Sequence, residues 1–507
     1  MTGKSRFTIW PISAVAVFAM LLAAVTQPVF ADDSNAGNWR YIVLSGPTQF
    51  PVAAPAPAND AGYQAELASI RAAQASVTAE QRDAIVYWSK GGVLRWNQLT
   101  LEMVTRANLP PAPNADGTYT FPSAANPFDY PQFPFSNPPY AARALSYVSV
   151  AQYEALKVAW YYKYLYNRPA PINAGAGVQA LMGASDLPGY PSEDGVEAGV
   201  HSVLLKLLFP TNVIEIDQKV AEQQLVAYLA GRATPSDFAA GFALGQAVAA
   251  VFVARAASDG MRNAIGTQAQ WDALAAAAVA RGEIPWKSQD IPPRPPMLPF
   301  FWQVQGWMMS ATDILNERPG PPPSTSSAQM RQELAAVKNA VARATRAQQA
   351  TAYKWNDGVN TPTPPGHWNL ISHSYIEAAD FSEVRAARAM ALLNMALHDA
   401  AVGCWDAKYA YFNPRAAQLD RSIKTTIGLP NFPAYTSGHS TFSAAAAEVL
   451  SYLFPESAGF FAAQRDEAGL SRLYSGIHYP IDITVGKDHG IRIGAYTLRF
   501  AQTDGAN

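Results

Sequence analysis

The sequence predicts an all-α protein of two side-by-side helical bundles, produced by an internal duplication. Three observations lead there. The 507 residues are 49% hydrophobic and 15% charged, and Ala-rich periodic segments dominate the chain. Whole words recur: Trp160-Tyr-Tyr-Lys163 returns as Trp405-Asp-Ala-Lys408, and Pro188-Gly-Tyr190-Pro-Ser192 as Pro433-Ala-Tyr435-Thr-Ser437. The recurrences keep one register: Lys163 and Lys408, Ser192 and Ser437, Phe209 and Phe454, and Asp237 and Asp482 are each 245 residues apart.

Taken in order, residues 1–31 read as a secretory signal. Lys4 and Arg6 precede an apolar run from Ile12 to Val25, and Val29 and Ala31 offer short side chains for cleavage after Ala31. The run is shorter than the roughly 20 apolar residues that span a bilayer. No other segment is expected to be long and apolar enough, so no membrane span is predicted after cleavage. Residues 32–283 form the first bundle, with helical patterns from about 63 to 106, 140 to 166, 194 to 209, 214 to 231 and 235 to 258. A Pro- and aromatic-rich loop over 108–140 interrupts them. Glu66-Leu67 and Glu333-Leu334 match at an offset of 267, and that loop accounts for the extra 22 residues. Residues 284–326 are a Pro-rich linker whose run Phe300-Phe-Trp-Gln-Val-Gln-Gly-Trp307 is too aromatic to stay in water, so it should pack on both halves. Residues 327–507 form the second bundle. The lone Cys404 reads as a small buried apolar residue. A net charge of −2 argues against a nucleic-acid partner.

Chemistry concentrates in the second copy. Ser471-Arg472-Leu-Tyr-Ser-Gly-Ile-His478-Tyr-Pro-Ile-Asp482 packs a cation, an imidazole and a carboxylate into twelve residues. On a helical turn His478 and Asp482 share a face, where the carboxylate would fix the imidazole tautomer and free the other nitrogen as nucleophile or ligand. An ordinary polar pair at a helix start is the plainer reading of this stretch alone. Upstream lie Ser437-Gly438-His439, and Lys408 separated by six residues from Arg415. In the first copy, Glu193 and Asp194 face Gly438 and His439, while Ala227 and Ala233 face Arg472 and His478. That copy is expected to be a structural partner without a site. His367, His373, His398 and His489 read as structural; His398, whose helix leads into Lys408, is the strongest exception among them. His367 and His373 are expected on a Pro-rich loop.

Together, Lys408-x6-Arg415, Ser437-Gly438-His439 and Ser471-Arg472-x5-His478-x3-Asp482 resemble the signature of the vanadium haloperoxidase and type 2 phosphatidic acid phosphatase superfamily. Ala416 and Thr436 stand where that signature has proline, which touches loop geometry and spares the reacting groups. The resemblance implies a cage for a tetrahedral oxyanion made by Lys408, Arg415, Ser437, Gly438 and Arg472. His478, backed by Asp482, would be its axial ligand or nucleophile, and His439 its acid or base. With vanadate as cofactor, His478 would bind vanadium, hydrogen peroxide and halide would be the substrates, and an organic acceptor would be halogenated. With a phosphate ester, His478 would attack phosphorus. Trp405 and Phe432 sit at offsets that most resemble vanadium chloroperoxidases near their halide site, and the soluble duplicated architecture leans the same way. The implied protein is secreted or periplasmic.

Overall fold

Two 29-residue helices, Pro138–Tyr166 and Glu383–Tyr411, form the centre of the fold. The structure, a computed structural model, describes residues 33–120 and 133–506. The signal expected over 1–31 lies outside them. Among the described residues there are α- and 3-10 helices and no strand.

Both central helices form for the same local reasons. Asn137 and Ser382 are their N-caps, accepting from the Tyr140 and Arg385 amides at 3.1 and 3.2 Å. Alanine-rich interiors let them run long, and both end in a left-handed residue, Asn167 at φ 47° and Phe412 at φ 52°. Asn394 Nδ2 donates to Ser149 Oγ at 3.0 Å. These residues correspond in the 245-residue register, so the two central helices meet at equivalent positions.

The helices that follow keep the register. Glu193–Leu208, Val213–Leu229 and Pro235–Ser258 are repeated by Gly438–Leu453, Ala458–Tyr474 and Pro480–Ala501. Buried tethers repeat as well. Arg143 pairs with Asp259 and Arg388 with Asp504, each at 2.7 Å. Glu154 accepts the amides of Ile42, Val43 and Leu44, and Asp399 those of Trp307, Met308 and Met309. Glu66 and Glu333 bond the Ser236 and Ile481 amides at the starts of their last helices, each at 3.0 Å. Duplication thus copied the means of fastening helix ends along with the helices. One hydrophobic core contains residues from both copies, including Trp96, Tyr153, Leu392 and Trp405.

Residues 284–326 reach several elements. The Trp286 amide bonds Phe412 O at 2.9 Å, the Met297 amide bonds Asn431 O at 3.1 Å, and the Gln305 amide bonds Asp259 O at 2.8 Å.

Two expectations are corrected. The segment Pro235–Asn263 is long and apolar enough to cross a membrane by length and composition. Its alanines and glycines let it cross Glu193–Leu208 at close range: a Cβ at Gly241 would lie 2.2 Å from Ser192 O. His367 and His373 lie in the helix Thr363–Ala378 and not on a loop. Pro364 and Pro365 fall in its first turn, where the missing N–H costs nothing.

The same close crossing in the second copy positions the site. A Cβ at Gly490 would lie 2.2 Å from Thr441 O, backbone that has no room to yield. Gly490→Ala is therefore expected to destabilise the protein by about 2 kcal/mol, read as a lowered midpoint in thermal or urea unfolding.

Candidate active site

Four helix ends converge. Lys408 lies in the last turn of Glu383–Tyr411, and Arg415 follows just past the left-handed Phe412. Ser437 is the N-cap of Gly438–Leu453, so Gly438 is its first residue and its N–H is one of the helix's free donors. Arg472 sits in the last turn of Ala458–Tyr474. His478 precedes Tyr479, the N-cap of Pro480–Ala501. The loop geometry differs from the expected helical turn: Asp482 reaches back from the first turn to both the His478 ring and the Tyr479 amide, at 2.9 and 3.1 Å. The Ser437 amide donates to Asp482 O at 3.0 Å, which locks the two helix starts together.

Arg415 is the hub. Nε and Nη2 donate to Phe432 O at 3.1 and 3.0 Å, and Nη1 donates to Ile477 O at 2.7 Å and faces His478 Nε2 at 3.0 Å. Lys408 Nζ donates to Pro433 O and Ala434 O, each at 3.0 Å, and to Thr436 O. Arg472 donates to Ser471 Oγ and Ala352 O. The Ser437 hydroxyl accepts from the Ser440 amide at 3.3 Å. A cavity of about 310 Å³ opens over this cluster. Gly438, His439, Arg472 and His478 line it, as do Trp405, Phe432 and Phe442. Lys408, Arg415 and Ser437 lie behind that lining. Trp405 and Phe432 pack at 5.1 Å between ring centroids, and the Phe432 ring lies 4.9 Å from Lys408 Nζ and 5.1 Å from Arg415 Cζ. The aromatic wall therefore covers the cations from the apolar side.

The electrostatics are unbalanced towards positive charge. Burial pushes Lys408 down to about 8, and Arg415 and Arg472 each to about 10. Burial, then Arg415, Lys408 and Arg472, hold His478 well below the ordinary histidine value. Burial also pushes the Asp482 carboxyl up to about 7, against the Tyr479 amide and the two nearby cations. Arg415 Nη1 can only donate, so Nε2, 3.0 Å from it, keeps its lone pair and the ring's own proton sits on Nδ1 towards Asp482 Oδ2. Three buried cations face two buried carboxylates, Asp482 and Asp357, each already bonded to an imidazole, so the cations form a donor set that a multiply charged oxyanion would satisfy. The residues present fit vanadate or phosphate equally.

Two neighbours of the cluster had no signal in the motif spacing. Asp357 sits at φ 46° in the loop before Thr363–Ala378, and its carboxylate faces His439 Nε2 at 3.1 Å and His367 Nδ1 at 2.9 Å. Burial and Arg472 push His439 down to about 4. His367 lies ten residues on from Asp357, and only the fold brings it and Asp357 to His439. His398 has the opposite outcome. It is buried against Phe301 and Trp307, its Nε2 faces Gln305 O at 3.2 Å, and burial pushes it down to about 3. It does not line the cavity. Cys404 is free and buried.

At the corresponding place in the first copy, Lys163 donates to Pro188 O at 2.6 Å and lies 3.6 Å from Glu193. Arg232 pairs with Asp194 at 3.1 Å. Carboxylates of the chain itself occupy the partners that an external anion would need.

Residues 388–506 match the PAP2 superfamily. Among curated proteins, none matches the chain. The fold is similar to that of a bacterial vanadium-dependent iodoperoxidase, at 22% identity and a TM-score of 0.54 over 72% of this chain and 91% of that one. It is similar to a holo-type bacterial vanadium-dependent chloroperoxidase, at 12% identity and a TM-score of 0.53 over 73% and 92% of the two chains. The apo-type chloroperoxidase gives 13% identity and a TM-score of 0.51 over 72% and 94%. At these identities the likeness is one of fold.

Proposed function

We propose that the PAP2 superfamily domain at residues 388–506 makes this chain a vanadate-dependent haloperoxidase, which uses hydrogen peroxide to oxidise halide to a hypohalous-acid equivalent for an organic acceptor. The observation that carries this reading is the aromatic wall of Trp405 and Phe432 directly over the buried cations. An apolar wall beside positive charge suits a weakly hydrated halide better than the polar leaving group of a phosphate ester.

Lys408, Arg415, Ser437, Gly438 and Arg472 would hold the vanadate oxygens, and His478 Nε2 would ligate vanadium. Bound vanadate supplies a Lewis acid that activates peroxide towards two-electron oxidation of halide. The chain's own part is electrostatic and positional. Arg415 Nη1, now on His478 Nε2, is the donor that an arriving oxyanion would redirect. Asp482 keeps the His478 tautomer with its lone pair outward. His439 lines the cavity beside its partner Asp357 and would take and return the peroxide proton. The first copy is a structural partner without an oxyanion site, its cations already answered by Glu193 and Asp194. Residues 1–31 would direct export, so the enzyme works in the periplasm or outside the cell.

Periplasmic acid phosphatase is the second reading. What favours it is the neutral His478, backed by Asp482 and beside Arg415, which equally suits attack on phosphorus. The deciding experiment adds vanadate and peroxide to the metal-free protein and follows halogenation of a phenol dye with chloride, bromide or iodide. Hydrolysis of an aryl phosphate is measured beside it. Vanadate-dependent halogenation is expected. Aryl phosphate hydrolysis alone, inhibited by vanadate, overturns this reading in favour of the second.

A further inference from the structure

Asp357 carries two imidazoles on one carboxylate. Oδ2 faces His439 Nε2 at 3.1 Å and Oδ1 faces His367 Nδ1 at 2.9 Å. Each oxygen is thereby committed to one ring. A carboxylate held at one oxygen can swing about its last torsion, and one held at both cannot. His367 is itself fixed from behind. Trp355 stacks on it at 4.0 Å between centroids and 15° between planes, and Trp355 Nε1 donates to Glu467 Oε1 at 2.8 Å. Glu467 belongs to Ala458–Tyr474, the helix that also carries Arg472. A chain of contacts thus runs Glu467, Trp355, His367, Asp357, His439, and returns to the cavity. The loop bearing Asp357 is anchored separately, since Asn108 Nδ2 donates to Gly358 O at 2.7 Å and Thr361 O at 3.1 Å.

We propose that His367 is a positioning residue for proton transfer: through Asp357 it fixes His439 with Nε2–H on the carboxylate, leaving Nδ1 as the nitrogen that meets the reacting proton. The proposal rests on the reading of His439 as the proton-handling group. Burial alone would raise the Asp357 carboxyl. The hydrogen bonds from His367 and His439 instead hold it well below the usual carboxylate range, so it stays an acceptor for both. The other charges facing this group are Arg472 on the cavity side and the Lys354–Glu467 pair behind Trp355. Losing the His367 N–H would leave Oδ1 unpaired and let the carboxylate turn, so that either nitrogen of His439 could carry the proton.

Three variants separate the hydrogen bond from packing. His367→Phe keeps the stack on Trp355 and deletes the donor. His367→Asn loses the stack but places an N–H near the position of Nδ1. His367→Gln carries its N–H one atom too far. The chain has seven histidines, few enough for long-range proton–nitrogen correlation spectra of the vanadium-free, histidine-labelled protein, with His439 assigned by its loss in His439→Gln. The expected result is a single Nε2–H tautomer for His439 in the parent and in His367→Asn, and a mixture in His367→Phe and His367→Gln. Turnover with vanadate should fall about tenfold in the last two, with a displaced pH profile, and recover in His367→Asn. A parent-like tautomer and pH profile in His367→Phe overturns the proposal. If that variant does not fold, indistinguishable spectra for His367→Gln and His367→Asn overturn it equally. The tautomer is read without any reaction, so a shifted tautomer in a protein that does not halogenate sinks the haloperoxidase reading and keeps this one.

Discussion

Replacing His478 with alanine is expected to remove turnover by on the order of 10⁴-fold or more, whichever of the two reactions the protein performs. The ring is a nucleophilic side chain that lines the cavity with its lone pair held against Arg415. Its Nδ1 is occupied by Asp482 and its Nε2 lies 3.0 Å from Arg415 Nη1. Burial, reinforced by Arg415, Lys408 and Arg472, disfavours the imidazolium, so the ring stays neutral well below its ordinary range. A neutral ring held among cations serves as ligand or nucleophile and does not serve as an acid. Alanine leaves the cations in place, so the variant should still bind an oxyanion, more weakly, while losing the chemistry. Kinetics of dye halogenation and aryl phosphate hydrolysis, with circular dichroism as the check on folding, test this. A His478→Ala protein that folds and keeps either activity would show that the reacting centre lies elsewhere.

The fold was legible because duplication writes itself twice. One register over Lys163/Lys408, Ser192/Ser437 and Asp237/Asp482 is a signal that no single helix supplies, and the helix pairs keep it. The convergence of the proposed oxyanion residues was legible because each sits at a helix end, where capping chemistry and short motifs constrain spacing. Ser437, Gly438 and His439 are contiguous for that reason, as are Ser471 and Arg472. Asp357 and His367 were not legible, since their link to His439 spans 82 and 72 residues of intervening chain and depends on how Thr363–Ala378 packs. Proline misled in that region. A Pro-rich stretch reads as loop, yet Pro364 and Pro365 start a helix. Sequence spacing also overstated the His478–Asp482 relation as a shared helical face. The observed contact arises because Asp482 caps a helix that His478 stands just outside. His398 drew attention because its helix leads into Lys408, ten residues on, but helical rotation turns it towards Phe301 and Trp307 and away from the cavity.

Stability against pH, with and without oxyanion, should report directly on Lys408. Burial, helped by Arg415, holds this ammonium down to about 8 from its ordinary 10.5. Between those values the unfolded chain keeps a proton that the anion-free folded protein has released. The folded state therefore gains stability from this group as pH rises from about 8 towards 10.5. A bound oxyanion reverses the bias, because its charge favours protonated Lys408. Binding in that window must then take up a proton, and affinity falls by up to about tenfold per pH unit. The rise in melting temperature produced by vanadate or phosphate should accordingly be large near pH 7 and shrink above pH 8. Lys408→Met removes the titrating group. It should show a smaller anion-induced rise at pH 7 and lose the part of the pH dependence that belongs to Lys408. Comparing the two proteins at each pH cancels the oxyanion's own titration, and differential scanning fluorimetry from pH 6.5 to 10 suffices. Equal anion-induced shifts in parent and variant across that range would mean that Lys408 serves only to hold the carbonyls of Pro433, Ala434 and Thr436. The positive pocket would then rest on Arg415 and Arg472 alone.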